Sequence, residues 1–348
     1  MLYRFLILIL AILSLPASLE AAPFRDYDDI SATIFAYNRI GEDHDSQNNL
    51  RLDQFESHIQ ELIDGDYHVK ALTDVISAFQ SNTPLPKNTV VLTFDGGYRS
   101  ILNNAIPLLE DNDLPYTLFI PSNLMSVANQ QYLNWTDLKS ISKSDLATIG
   151  IHPAAYTSLR GSDKTIIQRN INTALGDFQK HLGERPKLFA YPFGDYDDAY
   201  ADIIGDYAFD ATLGLQSGVA YYAHDLSALP RFNMTERYGD LSRFRMAAQA
   251  LPFPVKDIDP HTPALQTNPP SIGFTVHSDF ANKVDGLSCF ASNGDKPILE
   301  KLGDNRLELR LKEPFIRDRG RVNCTLAAGK NDDGETIFRW FGLLFTTD

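Results

Sequence analysis

Val90-Val91-Leu92-Thr93-Phe94-Asp95-Gly96-Gly97-Tyr98 is the stretch of this sequence that says most about its fold. Residues 89–94 are apolar and rich in β-branched side chains, which is typical of a short strand buried on both faces. Asp95 stands at the carboxyl end of that predicted strand, and the two glycines after it allow a sharp backbone turn. Carboxylates at such strand ends line the active sites of α/β barrels, although Asp-Gly is also a common turn pair.

Two other predicted strands are also followed by residues that are typical of active sites. His152 and Pro153 follow the strand at 148–151, and Pro192-Phe193-Gly194 follows the strand at 188–191. Because the carboxyl ends of parallel strands meet at one edge of a sheet, we expect Asp95, His152 and this turn to lie close together.

Residues 30–251 alternate predicted strands with predicted helices. Strands are expected at 32–37, 67–72, 89–94, 116–120, 148–151 and 188–191, and helices at 52–62, 101–109 and 164–182. This alternation favours an α/β fold with parallel strands wrapped by helices. A (β/α) barrel is the more specific expectation, and an open doubly wound sheet is the less specific one.

A proline-rich segment divides the chain. Residues 251–270 hold six prolines, a composition that resists regular structure and suits a linker. Residues 28–250 before it form the predicted α/β domain. Short apolar runs separated by Gly, Asn and Asp turns follow it, and they predict a small C-terminal all-β, sandwich-like domain over 271–348.

The first residues have the pattern of a signal peptide. Met1–Arg4 is cationic, Phe5–Leu15 is apolar, and small residues follow. We expect a signal peptide over 1–21 with cleavage after Ala21, and a mature protein that is exported to the periplasm or secreted. The apolar stretch is shorter than the roughly 20 residues of a membrane-spanning helix, so an anchor is the weaker interpretation and no stable span is expected after cleavage.

The composition excludes several classes of protein. The 348 residues are 43% hydrophobic and 22% charged, which argues against wholesale disorder and against a multi-spanning membrane protein. The formal net charge of -14 argues against nucleic acid as a partner, since no excess of positive charge is present to neutralise phosphates.

The two cysteines, Cys289 and Cys324, both lie in the predicted β-domain. Export permits a disulfide between them, and two buried free thiols are the alternative. A zinc site at these cysteines is not expected, because no C-x-x-C pair or cluster of histidines accompanies them.

In their order and spacing, these motifs resemble the polysaccharide deacetylase family, also called the NodB-homology domain or carbohydrate esterase family four. The resemblance covers roughly residues 34–234. Tyr37-Asn38-Arg39-Ile40-Gly41 is similar to the opening motif of the exported branch that acts on poly-N-acetylglucosamine, and the stretches 103–109 and 117–120 continue the pattern. The resemblance implies a distorted (β/α) barrel, an N-acetylated glycan as the partner, and hydrolysis of N-acetyl groups.

The resemblance also implies roles for individual residues. In that family one Asp is the general base, and a second Asp with two His holds a divalent metal, often zinc. Asp95 matches the base and His152 the first metal-binding His. Arg185, together with Pro192 and Phe193, resembles the motif that orients the base and lines the groove.

Two departures from the family pattern concern the metal. Gly96 stands where the family has its metal-binding Asp, and Tyr156 stands where it has the second His. Useful metal sites are built from three or four converging donors, so His152 alone predicts weak metal binding at most. The general acid has no clear counterpart, and His224 is the candidate for it.

The remaining candidates are substrate-binding residues: Tyr156, Pro192, Phe193, Trp135 and Arg231. Trp135 either stacks on a sugar ring or packs inside the protein. Arg231 either pairs with an acidic site residue such as Asp95 or lies at the surface.

Three functions remain open. The first is an exported hydrolase that removes N-acetyl groups from an amino-sugar polymer or oligomer. The second is a non-catalytic, glycan-binding pseudo-deacetylase, because Gly96 and Tyr156 replace metal ligands. The third is a hydrolase for another amide or ester, in which Asp95 and His152 act as an acid–base pair without metal.

Overall fold

The computed structural model of this protein describes residues 27–42, 44–127, 129–316 and 319–347. The signal peptide predicted for residues 1–21 lies outside the described residues. Within these ranges, no helix combines the length and the apolar character that crossing a bilayer requires.

A large, mostly parallel sheet forms the first part of the chain. Its strands run in the order β10-β1-β5-β6-β7-β8-β9, with β11 beside β1 and β4 beside β5, and β10 is antiparallel to β1. A separate pair, β2 and β3, lies outside it. The strands are β1 (Ser31–Tyr37), β2 (Arg39–Ile40), β3 (Asn49–Leu50), β4 (His68–Val69), β5 (Thr89–Asp95), β6 (Tyr116–Ile120), β7 (Ala147–Ile151), β8 (Leu188–Ala190), β9 (Ala211–Leu213), β10 (Ala220–Tyr221) and β11 (Phe232–Asn233).

The helices of this part pack against the sheet. They are α1 (Leu52–Asp64), α2 (Leu72–Ser81), α3 (Ile106–Asp111), α4 (Trp135–Ile141), α5 (Lys164–Leu182), α6 (Asp198–Gly205) and α7 (Leu241–Ala248). The spacing of apolar residues explains their placement: α5, for example, buries Ile167, Ile171 and Phe178 on one face and ends at Gly183, whose φ of +86° stops the helix.

The sheet curls towards closure, as in a distorted barrel. Leu213, the last residue of β9, forms a bridge with Leu229, and β11 follows shortly after and pairs with β1. All seven residues of β5 are buried, which agrees with its continuous apolar sequence. The predicted α/β fold with parallel strands and a barrel-like sheet is therefore confirmed.

Two four-stranded sheets form the C-terminal β region, residues 251–347. One has the order β12-β19-β18-β15 and the other β13-β14-β17-β16. Their facing side chains share one apolar core, as in a sandwich. The strands are β12 (Leu251–Pro252), β13 (Val255–Asp259), β14 (Ser271–Val276), β15 (Ser288–Ala291), β16 (Ile298–Leu302), β17 (Arg306–Arg310), β18 (Arg319–Lys330) and β19 (Thr336–Thr346).

Cys289 and Cys324 lie directly opposite each other in the antiparallel pair β15 and β18, and they form a disulfide. The disulfide predicted as one of two alternatives is thus present, and free thiols are not.

The segment 251–270 differs from the expected irregular linker, because it contributes β12 and β13. The prolines are compatible with these strands because of where they stand: Pro252 lies in β12, an edge strand, and Pro260 follows the last residue of β13.

The C-terminal β region is tied to the barrel-like part by polar contacts. Asp28 receives two hydrogen bonds from Arg339, at 2.6 and 2.7 Å. The hydroxyl of Thr346 donates to Asp195 at 2.7 Å. The second contact places the end of β19 beside the carboxyl edge of the large sheet, where Asp195 follows β8. Asp28 precedes β1, so the first contact lies at the amino edge.

Candidate functional site

Asp95 and Arg231 form a buried ion pair at the carboxyl edge of the large sheet. Nη1 and Nη2 of Arg231 donate to the two carboxylate oxygens of Asp95 at 2.7 and 2.8 Å. Arg231 also donates to the hydroxyl of Thr93 and to the carbonyl of Gly214. Since Asp95 is 2% exposed and Arg231 is 0% exposed, water is excluded and the pair holds one geometry. Of the two alternatives for Arg231, pairing with Asp95 is the correct one.

His152 lies next to this pair, as expected from its place after β7. Its Nδ1 donates to the carbonyl of Ala190 at 2.7 Å, so the unprotonated Nε2 faces Asp95. The distance from Nε2 to Oδ1 of Asp95 is 3.9 Å, beyond hydrogen-bonding range, and Nε2 has no partner among the described residues. Burial lowers the pKa of His152 to about 4, which keeps the imidazole neutral near neutral pH.

Aromatic rings occupy the space beside Gly96. Gly96 has a φ of +94°, and a Cβ at this position would lie 2.5 Å from Cε2 of Tyr98 and 3.1 Å from Cε1 of Tyr156. The hydroxyl of Tyr156 donates to Asn38, 3.1 Å away. Burial raises the pKa of the Tyr156 phenol well above its usual range, so Tyr156 is not a phenolate ligand.

These residues do not fit the divalent metal that the family resemblance implies. The place of the second carboxylate is filled by rings, the second imidazole is replaced by a neutral phenol, and Asp95 is already committed to Arg231. In the described part of the chain, no three His, Cys, Asp or Glu side chains converge as a metal site would need.

The predicted turn Pro192-Phe193-Gly194 lies at the outer side of the same site. Phe193 has a φ of +61°, and its ring lies 5.0 Å from that of Tyr156, which in turn lies 4.8 Å from the imidazole of His152. The guanidinium of Arg319, from β18, lies 5.6 Å from the Phe193 ring and donates to the Phe193 carbonyl. The C-terminal β region thus contributes to the surface above Asp95.

Arg185 and His224 lie elsewhere, which corrects their predicted places. Arg185 is exposed and precedes β8, so it stands at the amino edge of the sheet, opposite Asp95. His224 follows β10, which pairs antiparallel with the start of β1, and its ring contacts that of Tyr221 at 4.1 Å. Strand direction explains both positions. The start of the parallel strand β8 and the end of the antiparallel strand β10 both lie at the amino edge of the sheet, whereas Asp95 lies at the carboxyl edge. Arg231, rather than Arg185, holds the carboxylate of Asp95.

Trp135 also lies away from Asp95. As the first residue of α4, it stacks on His181 of α5 with ring centroids 4.3 Å apart and makes an edge contact with Phe178. These contacts agree with the packing alternative for Trp135.

Tyr98 and Arg319 are site residues that the sequence analysis does not predict. Tyr98 stands three positions after Asp95 in the sequence, and this short separation indicates that the two residues lie close together. Arg319 belongs to a strand of the C-terminal β region, and nothing in its local sequence points to Phe193.

Two cavities lie outside this site. One, of about 420 Å³, lies between the barrel-like part and the C-terminal β region, and its lining includes His224, His261 and Trp340. The other, of about 120 Å³, is lined in part by Arg243 and Arg321. Neither is lined by Asp95 or His152.

Parts of this chain are similar in sequence to known polysaccharide deacetylases. Residues 82–212 match the family model for polysaccharide deacetylase, which confirms the family resemblance over the segment that carries Asp95, His152 and Phe193. A poly-beta-1,6-N-acetyl-D-glucosamine N-deacetylase of Staphylococcus aureus is 26% identical over 163 residues. That match covers 43% of this chain and 56% of the relative, so the chain spans little more than half of the relative's length.

Solved deacetylases share the fold. The Streptococcus pyogenes deacetylase PplD, in complex with acetate, has a TM-score of 0.57 at 19% identity, and the match covers 63% of this chain and 98% of that one. IcaB from Ammonifex degensii has a TM-score of 0.58 at 18% identity, with 63% and 97% covered. The barrel-like part of this protein therefore has the fold of these enzymes.

Proposed function

We propose that this protein acts on an N-acetylated amino-sugar polymer and removes its N-acetyl groups, as a hydrolase of the polysaccharide deacetylase type. The observation that supports this most directly is the meeting of Asp95 and His152, from β5 and β7, at the carboxyl edge of a deacetylase-like sheet. The relative in Staphylococcus aureus, whose name specifies poly-N-acetylglucosamine, supports the choice of substrate.

Turnover at this site has a clear structural requirement. The ion pair between Asp95 and Arg231 has to open, so that water reaches the carboxylate and the amide carbonyl of the substrate reaches the guanidinium. Asp95 then removes a proton from the attacking water, and Arg231 stabilises the developing oxyanion. His152 adjoins both groups and is neutral, so it is placed to relay a proton towards the leaving amine.

The second candidate is binding of the same glycan without turnover, and the closed ion pair favours it. Asp95 is 2% exposed and has both oxygens bound by Arg231, so the unliganded site offers no free base. Tyr156 and Phe193 would then serve as sugar-contacting aromatic residues at the surface, with Pro192 shaping the turn.

One assay separates the two candidates. Acetate release and glycan binding are measured with the mature chain on β-1,6-linked N-acetylglucosamine oligomers and on chitooligosaccharides, once with zinc added and once with chelator. The test variant is Asp95→Asn and the matched control is Asp53→Asn, whose side chain is 69% exposed.

Three outcomes are decisive. Acetate release that is lost in Asp95→Asn and kept in Asp53→Asn supports deacetylation. Binding by the wild-type chain without any acetate release overturns deacetylation and supports the second candidate, whatever the stability of the variants. Neither binding nor release overturns both.

We also propose that the protein is exported and that its chain divides into an α/β domain over residues 28–250 and a β-rich C-terminal domain, to which residues 251–270 contribute two strands. The disulfide between Cys289 and Cys324 supports export, since such bonds persist in oxidising compartments. Amino-terminal sequencing of the protein recovered from outside the cytoplasm tests this, and a chain that begins at Ala22 is the expected result.

A further inference from the structure

Arg243 and Arg321 line a cavity of about 120 Å³ between helix α7 and strands β15 and β18. Asn233, Ser292 and Asn323 contribute further polar groups to its lining. The cavity thus joins residues of the barrel-like part to residues of the C-terminal β region, and it lies apart from the ion pair of Asp95.

Within the described ranges, the positive charge of this cavity faces aromatic rings and no carboxylate: the guanidinium of Arg243 lies 5.0 Å from the ring of Tyr238 and 5.6 Å from that of Trp340. Among the described residues, neither Arg243 nor Arg321 forms an ion pair with a carboxylate, and Nε of Arg243 is buried without a hydrogen-bond partner. Arg321 donates to the carbonyl of Leu215 at 2.8 Å. Two largely buried guanidinium groups without a counter-charge are costly, so a bound anion would stabilise them.

Neighbouring charges strengthen this conclusion. Burial, together with the charges of Arg319 and Arg243, lowers the pKa of Arg321 to about 10. Arg319 precedes Arg321 by two residues on β18, so their side chains point to the same face. The cluster stands out in a chain whose formal net charge is -14.

The remaining groups of the cavity indicate what the anion is attached to. Oδ1 of Asn233 is a buried acceptor without a partner, which suits a hydroxyl donor. Phe290 borders the cavity and is 56% exposed, and its ring offers an apolar face on which a sugar ring can stack. The cavity volume suits a single oxyanion, with the sugar ring outside against Phe290.

We propose that this cavity binds the phosphate, sulfate or carboxylate substituent of a sugar, with the oxyanion held by Arg243 and Arg321 and the sugar ring stacked on Phe290. Planar guanidinium groups match the geometry of such oxyanions. The site is independent of turnover at Asp95, and it does not rest on the proposed function.

The test is calorimetric titration of the full mature chain at low ionic strength. The probes are N-acetylglucosamine 6-phosphate, N-acetylglucosamine 6-sulfate, glucuronate, uncharged N-acetylglucosamine and inorganic phosphate. We expect at least one charged sugar to bind, with uncharged N-acetylglucosamine about tenfold weaker or more, because each charge-assisted hydrogen bond that is lost reduces affinity.

Variants localise the binding. Arg321→Gln and Arg243→Gln should each weaken binding about tenfold, whereas Arg310→Gln, at an arginine of β17 whose side chain is 59% exposed, should leave it unchanged. Trp340 serves as a second readout in a Trp135→Phe background, because its indole donates to Asn323 in the cavity lining. If Arg321→Gln does not fold, the wild-type titrations and Arg243→Gln carry the test.

Several results would overturn the proposal. No binding of any charged sugar would do so, and so would equal binding of uncharged N-acetylglucosamine or equal weakening in Arg310→Gln. Inorganic phosphate that binds as tightly as the sugar phosphate would show a site for the free ion and would remove the sugar from the proposal.

Discussion

Both carboxylate oxygens of Asp95 are bound by the single guanidinium of Arg231, which lies 136 positions further along the chain. The pair gives Asp95 a fixed cation at the edge of the sheet, where the family resemblance implies a divalent metal. A guanidinium balances the charge of the carboxylate, but it leaves no open coordination position for a substrate carbonyl. The features that distinguish this site from a metal-dependent one are Gly96 and Tyr156, which stand where the family has its second Asp and its second His.

Removal of Arg231 should destabilise the protein strongly. In Arg231→Gln the carboxylate of Asp95 stays buried without a counter-charge, so we expect a loss of about 3–5 kcal/mol in the free energy of unfolding. Urea denaturation followed by circular dichroism measures it. The matched control is Arg310→Gln, at an exposed arginine that pairs with Glu300, where the expected loss is below about 1 kcal/mol. Similar losses in both variants would contradict the prediction.

Gly96→Asp should fail to create a metal site. The new side chain would meet the rings of Tyr98 and Tyr156, and the φ of +94° disfavours any residue with a Cβ. We expect a destabilisation of about 1–3 kcal/mol and no gain in zinc affinity, measured by denaturation and by zinc titration. Stoichiometric zinc bound by this single variant would show that the two rings move aside, against the prediction.

Acid should weaken the fold through His58. This buried residue stacks on Phe244 and bonds to the carbonyl of Gly239, and burial lowers its pKa from 6.5 to about 4. Between these pH values the unfolded chain binds a proton that the folded chain does not, so stability falls as the pH drops. The contribution of His58 to this fall is about 3 kcal/mol.

The variant His58→Gln tests this assignment. Its free energy of unfolding should depend less steeply on pH than that of the wild type between pH 6.5 and 4, the two pKa values of His58. Parallel pH profiles for the two proteins would show that His58 is not responsible.

The disulfide should stabilise the C-terminal β region. Cys289 and Cys324 are 35 residues apart, so the disulfide restricts the unfolded chain over that loop. Breaking the bond removes this restriction and lowers the free energy of unfolding by about 2–4 kcal/mol. Reductant should therefore lower the denaturation midpoint of the wild type and leave that of the Cys289→Ser/Cys324→Ser double variant unchanged. A wild-type midpoint that is insensitive to reductant would refute this.

Local sequence patterns predict much of the barrel-like part. The strand at 116–120 and the helix at 164–182 have the predicted bounds, because each has a clear apolar pattern and flanking turns. The helix α2 is not predicted, although Leu72, Val75, Ile76 and Phe79 have helical spacing. The linker prediction at 251–270 treats prolines as breakers, whereas edge strands tolerate them.

Some residues of the candidate site can also be predicted from the sequence, and others cannot. Asp95, His152 and Phe193 are predictable, since each stands at or just after the carboxyl end of a parallel strand, and these ends share one edge of the sheet. Arg231 has only a weak signal, because its pairing with Asp95 depends on how the sheet curls. Arg319 has none, since it reaches Phe193 from a strand that lies 126 residues further along the chain.

The hydrogen bond from Thr346 to Asp195 has a consequence for the order of events during synthesis. Asp195 directly follows the turn that carries Phe193, and its partner is translated 151 residues later. The ribosome therefore releases the barrel strands well before this turn acquires its full set of contacts. A nascent chain that stops short of β19 would lack the hydroxyl that Thr346 donates to Asp195 beside this turn.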